Sequence, residues 1–320
     1  MMMNSRPHLS IIVPLYNEEE SVHLLYEKIH NACDSLGRPY EMVFIDDGSR
    51  DRTFTILEQI HQQDSRVKVV KFRKNYGQTP AMAAGFRAAR GKIVISMDGD
   101  LQNDPNDIPR LLEKVNENYD VVCGWRKERK DKLISRRIPS IIANWLIGRI
   151  TGVHIHDNGC SLKAYRTSVI KKVTLYGEMH RFIPAMSSLT GARIGEMVVN
   201  HHPRRYGTSK YGIGRVWRVI LDIITIKMIT GFASRPALWF GMLSIPFFMF
   251  GLLFIILSMI SYFNHTTGVS IIFPSVCLLF FFLGSYLLSL GFVSEMILRT
   301  GDYSQKRLVM PTTREIIKET

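Results

Sequence analysis

Two aspartates separated by one glycine, Asp98-Gly99-Asp100, follow the apolar run Ile93-Val-Ile-Ser-Met97. A strand of that composition is buried on both faces, as central strands of parallel sheets are. Gly99 breaks the strand, and Pro105 blocks an immediate return to regular structure. Carboxylates at the carboxyl end of such a strand stand where open α/β sheets bind their ligands. The chemistry this pair suits is a hard divalent cation, Mg²⁺ or Mn²⁺, shared with phosphate oxygens. An ordinary acidic turn is the plain alternative, and the pair alone does not separate the two.

The elements that would position this turn come before and after it. Residues 9–13 read as a first strand ending at Pro14-Leu-Tyr16-Asn17-Glu18, where Glu18-Glu19-Glu20 opens a helix as the macrodipole favours. A second strand, Tyr40 to Ile45, ends in Asp46-Asp47-Gly48-Ser49, and a helix starts near Thr53. A third, Val67 to Phe72, leads to Asn75-Tyr76-Gly77-Gln78 and the alanine-rich helix Ala81 to Arg90. After the central strand come a helix over Asp107 to Asn118 and a strand over Asp120 to Cys123. The order βαβαβαβαβ predicts a doubly wound, mostly parallel α/β sheet. Right-handed crossovers bring the polar ends of the first, second and fourth strands to one edge. Neither G-x-G-x-x-G nor G-x-x-x-x-G-K-[ST] is present, which disfavours a dehydrogenase or a P-loop NTPase. A bound nucleotide would be held by carboxylates and metal instead.

The 320 residues exceed what one such domain needs. Pro236 to Tyr262 and Ile271 to Ser294 contain no Asp, Glu, Lys or Arg. Each is longer than the ~20 residues that cross a bilayer core. Residues 236–298 are therefore expected as two membrane helices joined by the loop 263–270, which carries no Lys or Arg. Arg235, Arg299, Lys306, Arg307, Arg314 and Lys318 flank the pair, so positive-inside bias places both termini and the first 235 residues in the cytoplasm. The expectation is a multi-pass protein of the cytoplasmic (inner) membrane without a signal peptide, because the amino terminus enters a strand almost at once. Four cysteines without close-paired spacing suit a reduced compartment. A formal charge of +13 could serve nucleic acid, but beside two spans an anionic leaflet or lipid head group is the better partner, and no nucleic acid is expected.

Taken together, Pro14-Leu-Tyr16-Asn17-Glu18, Asp46-Asp47-Gly48-Ser49 and Asp98-Gly-Asp100-Leu-Gln102 resemble the family 2 glycosyltransferases of GT-A fold. The branch most similar is the polyprenyl-phosphate glycosyltransferases, which includes dolichol-phosphate mannose synthase and bacterial undecaprenyl-phosphate glucosyltransferases. The resemblance covers residues 7–215. It implies that Pro14, Tyr16, Glu18 and Asp46 surround the nucleoside of a nucleotide-diphosphate sugar, with Asp47 also among the residues expected to bind that donor. Asp98, Asp100 and Gln102 would then hold the cation and diphosphate. It further assigns Arg126, Arg136 and Ser140 to the phosphate of a polyprenyl-phosphate acceptor, and Asp157 and Asp100 to catalysis. A similar basic loop closes over the diphosphate, which makes Arg205, Ser209 and Lys210 phosphate-site candidates; Arg204 against Arg205 is left open, and Ser209 is grouped with the acceptor phosphate.

Physical readings of the same segments run alongside. Lys132, Arg136, Ser140, Asn144 and Gly148 recur every four residues, with Ile134, Ile138, Ile141, Ile142, Trp145 and Leu146 on the other side. This predicts an amphipathic helix over about 132–150 that packs on the sheet or lies in the membrane interface. A second, within 214–235, would guide the catalytic domain, 1–213, toward the bilayer. Trp125-Arg126-Lys127 opens a basic loop, and Asp157 precedes a glycine as in many turns. His154 and His156 lack a full metal ligand set. The tail 299–320 either docks on a neighbouring subunit of a homo-oligomer or frays.

The reaction expected is metal-dependent, inverting transfer of a sugar to polyprenyl phosphate. A phosphate monoester with a second pKa near ~6 is already a nucleophile at neutral pH, so Asp157 acts either as base or as an orienting group. UDP-glucose is the donor first expected, since the two-span architecture resembles the glucosyl branch; GDP-mannose and a UDP-aminoarabinose-type donor are the alternatives. A processive polysaccharide synthase would carry Gln-x-x-Arg-Trp and more spans, and neither is found. Two spans offer no evident path for a flippase. A nonenzymatic, membrane-anchored nucleotide-binding protein would not need an acidic set at three strand ends.

Overall fold

The computed structural model describes residues 6–127, 144–203 except 146, 150, 174 and 176–178, then 235–263, 271–300 and 314–315. The chain divides into two compact units, Met1–Ile223 with Val309–Thr320, and Ile224–Leu308.

The first unit is an α/β sandwich around one sheet. Its strands are β1 (Leu9–Leu15), β2 (Tyr40–Asp46), β3 (Val67–Lys71), β4 (Ile93–Ser96), β5 (Val121–Trp125), β6 (Lys163–Arg166), β7 (Ile194–Val198) and the two-residue β8 (Arg314–Glu315). They lie in the order β7-β5-β6-β4-β1-β2-β3-β8. β1 is parallel to both β2 and β4, β2 to β3, and β5 to β7. β6 runs antiparallel to both β4 and β5 and separates them. The doubly wound half, β1 to β4, is as the residue pattern predicts. β5 is not the next parallel neighbour of β4, because β6 occupies that edge.

Burial explains the strand assignments. Every residue of β2 and β4 is buried, and β1 is buried except at Pro14. The apolar stripes of α1 (Val22–Asp34) and α4 (Ile108–Asn116) cover one face, through Leu25, Ile29, Leu111 and Val115. The alanine-rich α3 (Gln78–Ala88) covers the other. There Gly85 lets helix and sheet close up, since a Cβ would stand 2.8 Å from Ile45 Cδ1. α2 (Thr53–Gln63) completes the first unit's main helices. Pro105–Asp107 forms a 3-10 turn ahead of α4, so the helix starts one residue later than its composition suggests.

The second unit is a pair of apolar helices, which we label α5 (Pro236–Phe263) and α6 (Ile272–Thr300). Pro236–Phe263 and Ile272–Ile297 have mean hydropathy of 2.5 and 2.3. Twenty-eight residues at about 1.5 Å rise exceed a hydrocarbon core of about 30 Å. The helices interlock by aromatic rings over glycines: Phe281 packs on Gly251, Phe248 on Gly284, and Phe254 stacks on Phe280 at 5.7 Å. Most of their large apolar side chains face outward. A soluble helix pair would bury that surface, whereas a membrane-spanning pair presents it to lipid.

Candidate active site

Three turns meet at the carboxyl end of β1, β2 and β4, and backbone hydrogen bonds weld them together. Asn17, in the left-handed region at φ 54°, donates its N–H to Ser49 Oγ at 2.9 Å, and its Oδ1 accepts Arg50 N–H at 2.9 Å. Glu18 N–H donates to Thr53 Oγ1 at 2.8 Å. Ser21 Oγ lies 2.8 Å from Glu18 Oε2 and 3.0 Å from Gly99 O, tying the β1 turn to the acidic turn after β4. Gly99 lets the turn lie close to β1: a Cβ there would stand 2.2 Å from Leu15 Cδ2, so the leucine would have to move.

Asp46 and Asp47 are adjacent and do different things. Asp46 is fully buried; its Oδ1 accepts Ser49 N–H at 3.1 Å, while Oδ2 has no partner among the described residues. Burial raises its pKa. A buried carboxylate oxygen without a partner is an acceptor for any N–H that reaches it. Asp47, expected beside the nucleotide, instead takes Tyr76 N–H and Gly77 N–H on its two oxygens, at 2.7 and 2.8 Å. It anchors the loop that starts α3. Gly48, at φ 70°, lies under the same loop, with 2.3 Å from a Cβ there to the Lys74 carbonyl carbon.

Burial pushes the Asp47 carboxyl up to about 6, against the pull of the two amide hydrogen bonds. Unfolded, it titrates near ~3.9. The folded chain thus holds this proton more tightly, and stability on its account falls as pH rises from about 4 to about 6, by up to about 3 kcal/mol. Thermal unfolding of wild type and Asp47→Asn across that window should show wild type losing ground to the variant as pH rises. A pH-independent gap between them would contradict this.

The turn after β4 carries the second acidic pair. Asp98 N–H donates to Asn103 Oδ1 at 3.0 Å, and Asp98 Oδ1 accepts Gln78 Nε2 at 2.8 Å. Asp100 is 8% exposed, and its Oδ1 accepts Gln102 N–H at 3.2 Å. Between them Leu101 adopts φ 62°, a strained conformation for a branched side chain that stays buried. Burial, then the charge of Asp100, raises Asp98 to about 6, while Ser161, Arg126 and Lys163 act the other way. A carboxyl whose ionisation a neighbouring carboxylate disfavours fits a divalent cation, and Gln102 adds an amide oxygen. No group of three or more His, Cys, Asp or Glu side chains forms a closed cage among the described residues. That donor set suits a cation completed by phosphate oxygens rather than a fully protein-bound metal.

Asp157 and Arg126, assigned separately from the sequence, form one buried bidentate pair. Arg126 Nε donates to Asp157 Oδ2 at 2.7 Å and Nη2 to Oδ1 at 3.0 Å. The side chains are 14% and 7% exposed. Burial works against the Arg126 charge, but the Asp157 carboxylate outweighs it and holds the guanidinium above its ordinary pKa.

A cavity lies between the Asp98 turn and the segment after Asp157, lined by Gln78, Asn158, Ser161, Lys163, His180 and Arg181 among others. Lys163, at the start of β6, is 3% exposed and donates to Asn158 O at 3.0 Å. Asn158 Oδ1 is buried without a partner among the described residues. Thr79 Oγ1 pairs with His180 Nδ1 at 2.8 Å, and burial pushes His180 down to about 3, so it is neutral. Sequence reasoning gave no role to Lys163, His180 or Arg181. Lys163 opens a four-residue strand that ends in Arg166, and no residue pattern marks any of the three. Pro14, Tyr16, Glu18, Asp46, Asp98, Asp100 and Gln102 are brought to one edge of the sheet, and Arg126 with Asp157 within electrostatic reach of Asp98. Arg136, Ser140, Arg204, Arg205, Ser209 and Lys210, with both expected amphipathic helices apart from a few residues, lie outside the described residues.

Residues 10–174 match the family described as glycosyl transferase family 2. The chain is 48% identical over 241 residues to a dodecaprenyl-phosphate galacturonate synthase of Rhizobium johnstonii, covering 74% of this chain and 71% of that protein. It is 38% identical over 290 residues to an undecaprenyl-phosphate 4-deoxy-4-formamido-L-arabinose transferase of Shewanella sediminis, covering 90% and 86%. Among solved structures, glucosyl-3-phosphoglycerate synthase from Mycobacterium tuberculosis with Mn²⁺, UDP-glucose and phosphoglyceric acid superposes with a TM-score of 0.55. That likeness, at 16% identity over 69% of this chain and 80% of the other, is one of GT-A fold alone. The family model spans β1 through β6 and all three acidic turns, and the likeness to the Shewanella protein continues well beyond it: the chain belongs to glycosyl transferase family 2 and is a glycosyltransferase.

Proposed function

We propose that the chain transfers a sugar from a UDP-linked donor to a polyprenyl phosphate, with inversion at the anomeric carbon. The observation that carries this reading is the joining of two charged sites: the Asp98–Asp100 turn lies within electrostatic reach of the buried Arg126–Asp157 pair. The two relatives make polyprenyl-phosphate sugars by name, which supplies the acceptor class. In this reading the orphaned Asp46 Oδ2 accepts from the base, and the Asp98 and Asp100 carboxylates with Gln102 hold Mg²⁺ or Mn²⁺. The cation supplies Lewis-acid stabilisation of the leaving diphosphate when bound. Lys163 and Arg181 add donors around the cavity, where charge develops during transfer.

The acceptor phosphate needs no strong base, because most of it is a dianion at neutral pH. Asp157 is doubly hydrogen-bonded by Arg126, which makes orientation its better role than proton abstraction. Its carboxylate fixes the guanidinium through Nε and Nη2, and the N–H groups left over, on Nη1 and the outer side of Nη2, meet the acceptor phosphate. Positive-inside bias turns the catalytic domain to the cytoplasm, where both UDP-sugars and the phosphate end of the lipid are accessible. Glucose, the sugar first expected, is supported only by fold-level likeness; the relatives' galacturonate and formamido-arabinose are the stronger candidates. Release of UDP from a panel of these three UDP-sugars and release of GDP from GDP-mannose, each with and without polyprenyl phosphate, tests the reading. One UDP-sugar should give acceptor-dependent release; GDP-mannose alone doing so would overturn the donor class.

A further inference from the structure

Asp157 lies in a stretch without regular structure, so something other than a helix or strand must fix its backbone. Asn144 Nδ2 holds the His156 carbonyl at 2.6 Å, and the two backbone amides of this stretch go to Glu196, in the middle of β7. β7 pairs in parallel with β5, with Glu196 opposite Cys123 and Val198 opposite Trp125. The Glu196 side chain is 17% exposed and its carboxylate takes three donors from one dipeptide. Oε1 accepts His156 N–H at 2.9 Å and Asp157 N–H at 3.3 Å, and Oε2 lies 2.7 Å from His156 Nδ1. The His156 ring stacks flat on Trp125, with centroids 4.2 Å apart and planes 16° from parallel. Arg126 follows Trp125 and grips the Asp157 carboxylate. A closed ring of contacts therefore runs from β7 through Glu196 to the 156–157 peptide, on to Asp157 and Arg126, and back along β5 to its partner strand.

We propose that Glu196 is a positioning residue for the transfer reaction, acting by holding the His156–Asp157 backbone so that the Asp157–Arg126 pair keeps one geometry. Charge-assisted bonds from consecutive amides to one carboxylate are strong and directional. Arg126 and Asp157 are buried and have few alternatives, whereas the His156 ring, 66% exposed, only stacks on Trp125 and touches Glu196. Without Glu196, Arg126 still attracts Asp157 and Asn144 Nδ2 still holds the His156 carbonyl at 2.6 Å, but the His156 and Asp157 amides lose the acceptor that ties them to β7. Misplacements of about 1 Å cost about 100-fold in rate. The proposal rests on the assignment of Asp157 to the reaction.

The test uses the full chain in lipid nanodiscs with UDP-sugar and polyprenyl phosphate. Glu196→Ala should lower kcat by about 10- to 100-fold with little change in KM for the donor. Glu196→Gln, which keeps a carbonyl oxygen for both amides, should restore most of that loss. His156→Phe, which keeps the stack on Trp125 and both amide bonds, should remain close to wild type. In an Asp157→Asn background, Glu196→Ala should cause no further loss, as for groups that act as a unit. Retained UDP binding shows that each variant is folded; if Glu196→Ala is not, Glu196→Asp takes its place and should lose kcat in part. Wild-type kcat in Glu196→Ala with Asp157→Asn inactive overturns the positioning role. So does a Gln variant as poor as Ala, or a His156→Phe variant as poor as either. Activity in Asp157→Asn instead refutes the premise, and is read separately.

Discussion

Asp157→Asn is expected to lower transfer by about 100-fold or more, the scale of a misplaced group at the reacting centre. UDP affinity should change little, because the Asp46 pocket and the acidic turn after β4 are untouched. The same substitution should also destabilise the fold. It strips the counter-charge from Arg126, whose side chain is 14% exposed, and an uncompensated buried guanidinium costs on the order of 3 kcal/mol. The thermal midpoint should therefore fall together with activity. Arg126→Lys separates charge from geometry. It keeps the positive charge but loses the fork that grips both Asp157 oxygens, so it should lose most activity while destabilising less. Steady-state rates and thermal unfolding on the three proteins check this; an Asp157→Asn protein with wild-type rates would remove Asp157 from the mechanism.

Asp100→Asn should separate the two quantities in the opposite sense. Asp98 is raised to about 6 by burial and by the Asp100 charge, so the two carboxylates oppose each other in the absence of metal. Neutralising Asp100 removes that repulsion, and the metal-free protein should be as stable as wild type or more so. Activity should nevertheless fall by at least about 100-fold, because half of the carboxylate set for the cation is gone. EDTA should stop wild-type turnover and Mg²⁺ or Mn²⁺ should restore it. The gain in thermal midpoint that wild type shows on adding Mn²⁺ with UDP should shrink or vanish in the variant. A variant that is both inactive and markedly less stable would point to a structural role for Asp100 instead. Metal-independent turnover of wild type would contradict the role given to the whole turn.

Much of this site is legible in the chain because it depends on strand ends. The runs Leu9–Val13, Tyr40–Ile45 and Ile93–Ser96 are apolar on both faces, and each ends in polar residues at a turn. Burial on both faces requires a central position in the sheet, which in turn places those ends together. The features that stay hidden depend on long-range pairing. Asp46 and Asp47 are identical by composition. They diverge because successive side chains alternate across a strand: one is left with an unpartnered buried oxygen, and the other meets the loop before α3. Arg126 and Asp157 were each visible as charged candidates, yet a separation of 31 positions conceals that they neutralise each other. β6 is four residues long with Lys163 and Arg166 at its ends, too short and too charged for its alternation to announce a strand between β4 and β5. Its Lys163 is buried because the Asn158 carbonyl and the cavity receive it, a context that a linear reading does not hold.

The central claim is that the acidic turn and the Arg126–Asp157 pair together join a nucleotide-linked sugar to a lipid phosphate. The most direct measurement is mass spectrometry, with NMR of the anomeric centre, on the organic-extractable product of the purified chain given UDP-sugar, polyprenyl phosphate and Mn²⁺. The account predicts a polyprenyl-phosphate monosaccharide with inverted anomeric configuration, formed with one UDP released per lipid modified. UDP release without a lipid-linked sugar, or a product that retains the donor's configuration, would contradict it.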